Sequence, residues 1–138
     1  MASDRSRELT SLVDGLIPVV LADPRIRVLW IEGDLPDEVR RPYRELDLRM
    51  AAMDPDFAGL VADHGAILSR VAPVASHADE DADFEGKRCK ATLASGARLV
   101  LTLERMSLVG KRSRAEVVPI VDKTGRFRTI LNRTGVRS

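Results

Sequence analysis

A chain of 138 residues fits one domain, residues 1–138, with a single core and no room for a separate substrate domain. Hydrophobic residues at 44% and charged residues at 31% exclude bulk disorder, and no apolar run approaches the roughly 18 residues of a membrane span. A net charge of +1 gives no global pull toward nucleic acid or a membrane surface.

The opening Met1-Ala2-Ser3-Asp4-Arg5 moves straight into charged residues and lacks the layout of a secretory signal, so a cytoplasmic location is expected. Leu9, Leu12, Val13, Leu16, Ile17, Val20 and Leu21 then recur at three- and four-residue steps, which predicts an amphipathic helix over 5–22. Pro18 lies within it and cannot donate the usual backbone hydrogen bond, so a kink or an early end is expected there. Residues 25–32 read Arg-Ile-Arg-Val-Leu-Trp-Ile-Glu, the β-branched and aromatic content of a buried strand, and Gly33 punctuates its end.

A short helix-compatible stretch with Pro36 and Pro42 leads into strict alternation over 43–53. Glu45, Asp47 and Arg49 share one face of that strand, and Leu46, Leu48 and Met50 share the other. Asp54-Pro55 opens a second predicted helix over 54–72, with Phe57, Leu60, Val61, Ile67, Leu68 and Val71 on its apolar side. Residues 77–85 crowd Asp79, Glu80, Asp81, Asp83 and Glu85 together, which predicts an exposed loop. Residues 87–94 and 97–104 read as a hairpin turned at Ser95-Gly96. A strand over 116–121, a turn at Asp122-Lys123-Thr124-Gly125 and an edge strand over 126–131 complete the pattern.

The most informative spacing is Gly33-Asp34, ten intervening residues, then Glu45-Leu46-Asp47, with the glycine ending one strand and both acids on the next. This resembles the signature of the nucleotidyltransferase superfamily, in which Gly-Ser precedes Asp-x-Asp at similar spacing. The likeness extends through 23–30, 43–48, the later hairpin and 116–122, and it points in particular to short bacterial members related to antibiotic nucleotidyltransferases. It implies an α+β fold, a nucleotidyltransferase-like mixed β-sheet of four to six strands flanked by α-helices. It also implies ATP or another nucleoside triphosphate with Mg²⁺, and a small-molecule substrate.

Such chemistry works mainly by holding phosphate and metal in place, acids taking the metal and a glycine turn meeting phosphate. Alternate acids in one strand lie about 7 Å apart at Cα and point the same way. The resemblance therefore makes Glu45 and Asp47 the metal ligands, Gly33 and Asp34 the nucleotide-binding turn, and Asp34, Glu45 and Asp47 the catalytic group. Two positions depart from the family. Asp34 stands where it has serine, replacing a hydroxyl donor by an acceptor. Val100 stands where it has a third carboxylate, and Glu104 is roughly 13 Å further along the same face. Arg49, beside the acids, is expected to neutralise one of them.

Three functions from different classes follow. One is a nucleotidyltransferase-like protein acting on, or descended from enzymes acting on, a small molecule. Another is a repurposed metal-free enzyme using Asp34, Glu45 or Asp47 as general acid or base. The third is a non-catalytic binding or assembly module completed by another copy or a partner subunit.

Other features promise less. The run Asp79-Glu80-Asp81-Ala82-Asp83 lacks the glycine and final glutamate of a calcium loop, having Phe84 and Lys90 there, and reads as solvated charge. The lone Cys89 excludes an internal disulfide and a thiolate cluster and is expected to be buried. His64 and His77 show no metal-ligand spacing with each other or with the cysteine, so no histidine-based site is expected. From 111 to 138 eight basic residues face two acidic ones, but Phe127 is the only aromatic and no recognition motif occurs, so nucleic-acid binding is not expected.

Overall fold

The computed structural model describes residues 4–32, 46–109 and 117–127. Among them the chain forms α1 (Asp4–Ala22), β1 (Ile26–Glu32), β2 (Leu46–Ala52), α2 (Asp54–Val71), β3 (Val74–Ala82), β4 (Gly86–Leu93), β5 (Arg98–Arg105), α3 (Met106–Val109) and β6 (Val117–Asp122). The six strands make one open, mixed sheet in the order β3-β4-β5-β2-β1-β6. Every neighbouring pair is antiparallel except β2 and β5, which run parallel. A parallel pair needs a long crossover, and here α2 and the β3–β4 hairpin supply it. The result is an α+β domain with α1 and α2 on one face of the sheet.

The strand period of two and the helix period of 3.6 explain the core. Leu9, Leu12, Leu16 and Val20 of α1 and Phe57, Leu60, Ile67 and Leu68 of α2 are buried against alternate strand residues. Those are Leu29 and Ile31 of β1, Leu48 and Met50 of β2, and Leu99, Leu101 and Leu103 of β5. Burial of each such side chain contributes about 1.5–3 kcal/mol before entropy is charged against it. Gly15 is where the helices crowd most: a Cβ there would meet Val71 Cγ1 at 2.5 Å.

Pro18 does not end α1, which runs on to Ala22. It lies on the exposed side, where the carbonyl it leaves unpaired can meet water. The other face of the sheet carries a smaller apolar cluster of Val28, Trp30, Ala51, Val109 and Phe127, with the Trp30 and Phe127 ring centroids 4.8 Å apart. Phe127 is carried there by the turn after β6. Asp122 Oδ1 accepts hydrogen bonds from the Thr124 and Gly125 amides, and Oδ2 accepts from the Phe127 amide.

One element departs from the sequence expectation. The acidic stretch is not a loop over 77–85 but most of a strand, β3, paired residue by residue with β4. Only Asp83–Gly86 turns, with Phe84 and Glu85 at φ 56° and 60° and the Gly86 amide donating to the Asp83 carbonyl. Positive φ at both central residues is the geometry that matches strand twist in a tight hairpin. Lys87, Arg88 and Lys90 of β4 pair with Asp81 and Glu80, so the crowded acids are balanced across the ladder. The hairpin at Ser95-Gly96 forms as expected, with Gly96 at φ 96°. Of the expected edge strand over 126–131, Arg126 and Phe127 are not in a strand and the rest lies outside the described residues.

Candidate functional site

Gly33, Asp34 and Glu45 lie outside the described residues, so the structure locates the motif through Asp47. The parallel ladder makes Asp47 and Val100 direct Cα partners. Both lie on the face away from α1 and α2. Two residues on, Arg49 is buried and faces three carboxylates. Its Nε donates to Asp47 Oδ1 at 3.1 Å, its second terminal nitrogen donates to Asp47 Oδ2 at 3.3 Å, and Nη1 donates to Glu104 Oε2 at 2.9 Å. Glu32 Oε1 lies 3.9 Å from Nε and accepts from the Trp30 indole at 3.1 Å.

Burial works against the Arg49 charge, but the bonds to Asp47 and Glu104 outweigh it and hold the guanidinium firmly protonated. The planar fork satisfies both Asp47 oxygens at once, as arginine does with carboxylates generally. Thr102, the register partner of Arg49, is fully buried, and its hydroxyl has no partner among the described residues. Chemically this is a polar node of one guanidinium among three carboxylates, with Asp47 held from two points. The described part of the motif does not fit a magnesium site, because Asp47 is engaged by an internal cation and its neighbour is valine.

A second constellation forms on the helix face, and sequence spacing does not announce it. His64 on α2, His77 and Asp79 on β3, and Cys89 on β4 each place one donor atom within 4.8 Å of the others. Asp79 and Cys89 are direct partners across the antiparallel ladder, and His77 is on the same side two residues away. His64 reaches down from the helix. Asp79 Oδ1 lies 3.3 Å from His64 Nε2 and 3.3 Å from His77 Nδ1, and the carboxylate also accepts from the Cys89 thiol.

Burial raises the Asp79 pKa, yet the bonds from Cys89, His64 and His77 prevail and hold the carboxyl below its ordinary range. Burial first, and the adjacent carboxylate second, push the Cys89 thiol up to about 12. Beside the cluster opens a cleft of about 570 Å³ between α2 and β3, lined by His64, Gly65, Leu68, Val74, His77 and Asp79 among others. The signal that would have found this cluster is the pattern His77-x-Asp79, which puts both side chains on one face once 74–82 is read as a strand.

With both sites in view, the chain was compared with known proteins. It matches no protein-family model and no curated protein. Fold and site geometry are therefore what describe it: a small mixed α+β domain with an arginine-centred polar node on one face of its sheet and a His/Asp/Cys cluster on the other.

Proposed function

We propose that this is a nucleotidyltransferase-like domain, descended from enzymes acting on a small molecule, whose sheet face at Asp47 and Val100 has given up magnesium-dependent nucleotidyl transfer and takes its ligand without a metal. The observation that carries this reading is the two-point capture of Asp47 by Arg49 directly beside Val100. Phosphoryl-type transfer needs carboxylates free to hold a divalent cation against a polyphosphate. Here the positive charge comes from the chain itself, and Asp34 in place of serine turns a phosphate donor into an acceptor. Within this reading Asp34, Glu45 and Asp47 act as polar or acid–base groups toward a small-molecule substrate, and ATP with Mg²⁺ is not its cofactor. The single cysteine fits a reducing, cytoplasmic setting.

A thermal-shift panel of nucleotides, with and without Mg²⁺, on wild type and Asp47→Asn tests it, because a ligand raises the melting temperature only by binding the native state. The expected result is no magnesium-dependent shift with any nucleotide in either protein. A shift with ATP and Mg²⁺ that disappears in Asp47→Asn would establish retained transfer chemistry instead.

A further inference from the structure

We propose that His64, His77, Asp79 and Cys89 form a four-donor site for a divalent transition-metal ion of the zinc type, which fastens the outer strand β3 to helix α2. The inference is independent of the Asp47–Arg49 node, since the cluster lies on the opposite face of the sheet. Two imidazoles, a thiol and a carboxylate make a mixed nitrogen, sulfur and oxygen set. Such a set suits zinc and its neighbours and is poor for magnesium or calcium, which take oxygen.

The hydrogen bonds of His64 carry the argument further. Its Nδ1 lies 2.5 Å from the Val61 carbonyl oxygen, and a carbonyl can only accept, so Nδ1 bears the proton. Its other ring nitrogen, Nε2, is thereby aimed into the cluster, 3.3 Å from Asp79 Oδ1. The arrangement is the one found at metal centres, where a ligating histidine donates its other N–H to a backbone carbonyl and is thereby fixed in orientation.

Four ligands at about 2.0–2.3 Å from a tetrahedral ion lie about 3.5 Å from one another. The four donor atoms, all within 4.8 Å, need only a short inward movement, and the exposed β3 can supply it. On binding, the Cys89 thiol proton leaves to solvent, and thiolate plus carboxylate balance the two positive charges of the ion.

A thiol–imidazole catalytic pair is the competing use of these groups, and the geometry disfavours it. Asp79, not a histidine, sits at the centre and receives the thiol hydrogen, and Cys89 is buried with its pKa raised rather than lowered. The metal also answers a structural need. Strand β3 is exposed over nearly its whole length and is held by its backbone ladder and by surface ion pairs, each worth about 0–1 kcal/mol.

The test uses the full chain, stripped with a chelator and titrated with Co²⁺ and then Zn²⁺. Expected are the intense visible bands of tetrahedral cobalt, a near-ultraviolet thiolate-to-cobalt band, bleaching of both by zinc, and a higher melting temperature with zinc. Cys89→Ser removes the thiolate band. His77→Ala, at an exposed position that leaves the metal-free fold intact, weakens zinc binding by about tenfold or more, since even groups behind the ligands carry effects of that size. Absence of cobalt and zinc binding by the wild type, or binding unchanged in both variants, would overturn the site.

Discussion

The two polar nodes of this sheet are built from opposite ingredients. On the face away from the helices a cation, Arg49, sits among Asp47, Glu104 and Glu32, and it donates twice to Asp47 and once to Glu104. On the helix face an acid, Asp79, sits among two imidazoles and a thiol, all within 4.8 Å of one another. The first node holds its motif acid from two points with a cation of its own. The second gathers nitrogen, sulfur and oxygen donors of the kind that bind a metal. Residue type at the centre of a polar cluster thus decides how receptive the cluster is, more than the number of acids in it.

The largest expected effect comes from emptying the first node. Arg49→Met should destabilise the fold by about 3–5 kcal/mol in urea unfolding, because the buried Glu104 carboxylate loses its Arg49 partner. Adding Glu104→Gln should restore part of that loss. A benign Arg49→Met would mean that the guanidinium does not hold the node together, and the contrast would fail.

The second node should show itself in acid. The folded pKa of Asp79 is depressed, so its contribution to stability is complete above the ordinary carboxylate pKa of about 3.9 and is lost as pH falls through the lower, folded value. Metal-free wild type should therefore lose melting temperature more steeply below about pH 4 than Asp79→Asn does. Identical acid limbs would show that the three donors around Asp79 do not act on it.

The smallest effect is the most pointed. Val100→Asp places a carboxylate directly beside Asp47, at a cost of about 1 kcal/mol or less for like charges paired across strands. Calorimetric titration of this variant should still show no Mg²⁺ binding while Arg49 occupies Asp47. Heat of binding in Val100→Asp would show that the valine, and not Arg49, keeps Mg²⁺ out.

Much of this architecture can be read in the chain because burial writes a period into it. Both long helices, β1, β2 and the β4–β5 hairpin follow from apolar residues at the spacing of each element, and the capture of an acid by Arg49 follows from their shared strand face. Strand β3 does not, since its residues are exposed on both sides and carry no apolar alternation. Its order comes from partners in β4, a long-range pairing that local composition does not record, and the run of acids pointed instead to a loop. The His/Asp/Cys cluster was hidden for the same reason. Its members come from three elements, and only the fold makes them neighbours.

The exposed acids of β3 have one more consequence, for the protein's behaviour in concentrated solution. An outer strand ordinarily offers a row of free amides and carbonyls on which another chain can grow. A second copy approaching this one antiparallel would bring the acids of β3 against their own counterparts, and it would have to part Glu80 and Asp81 from their β4 cations or accept like charges set opposite each other. The same carboxylates that pointed to a loop thus work against extension of the sheet on that side.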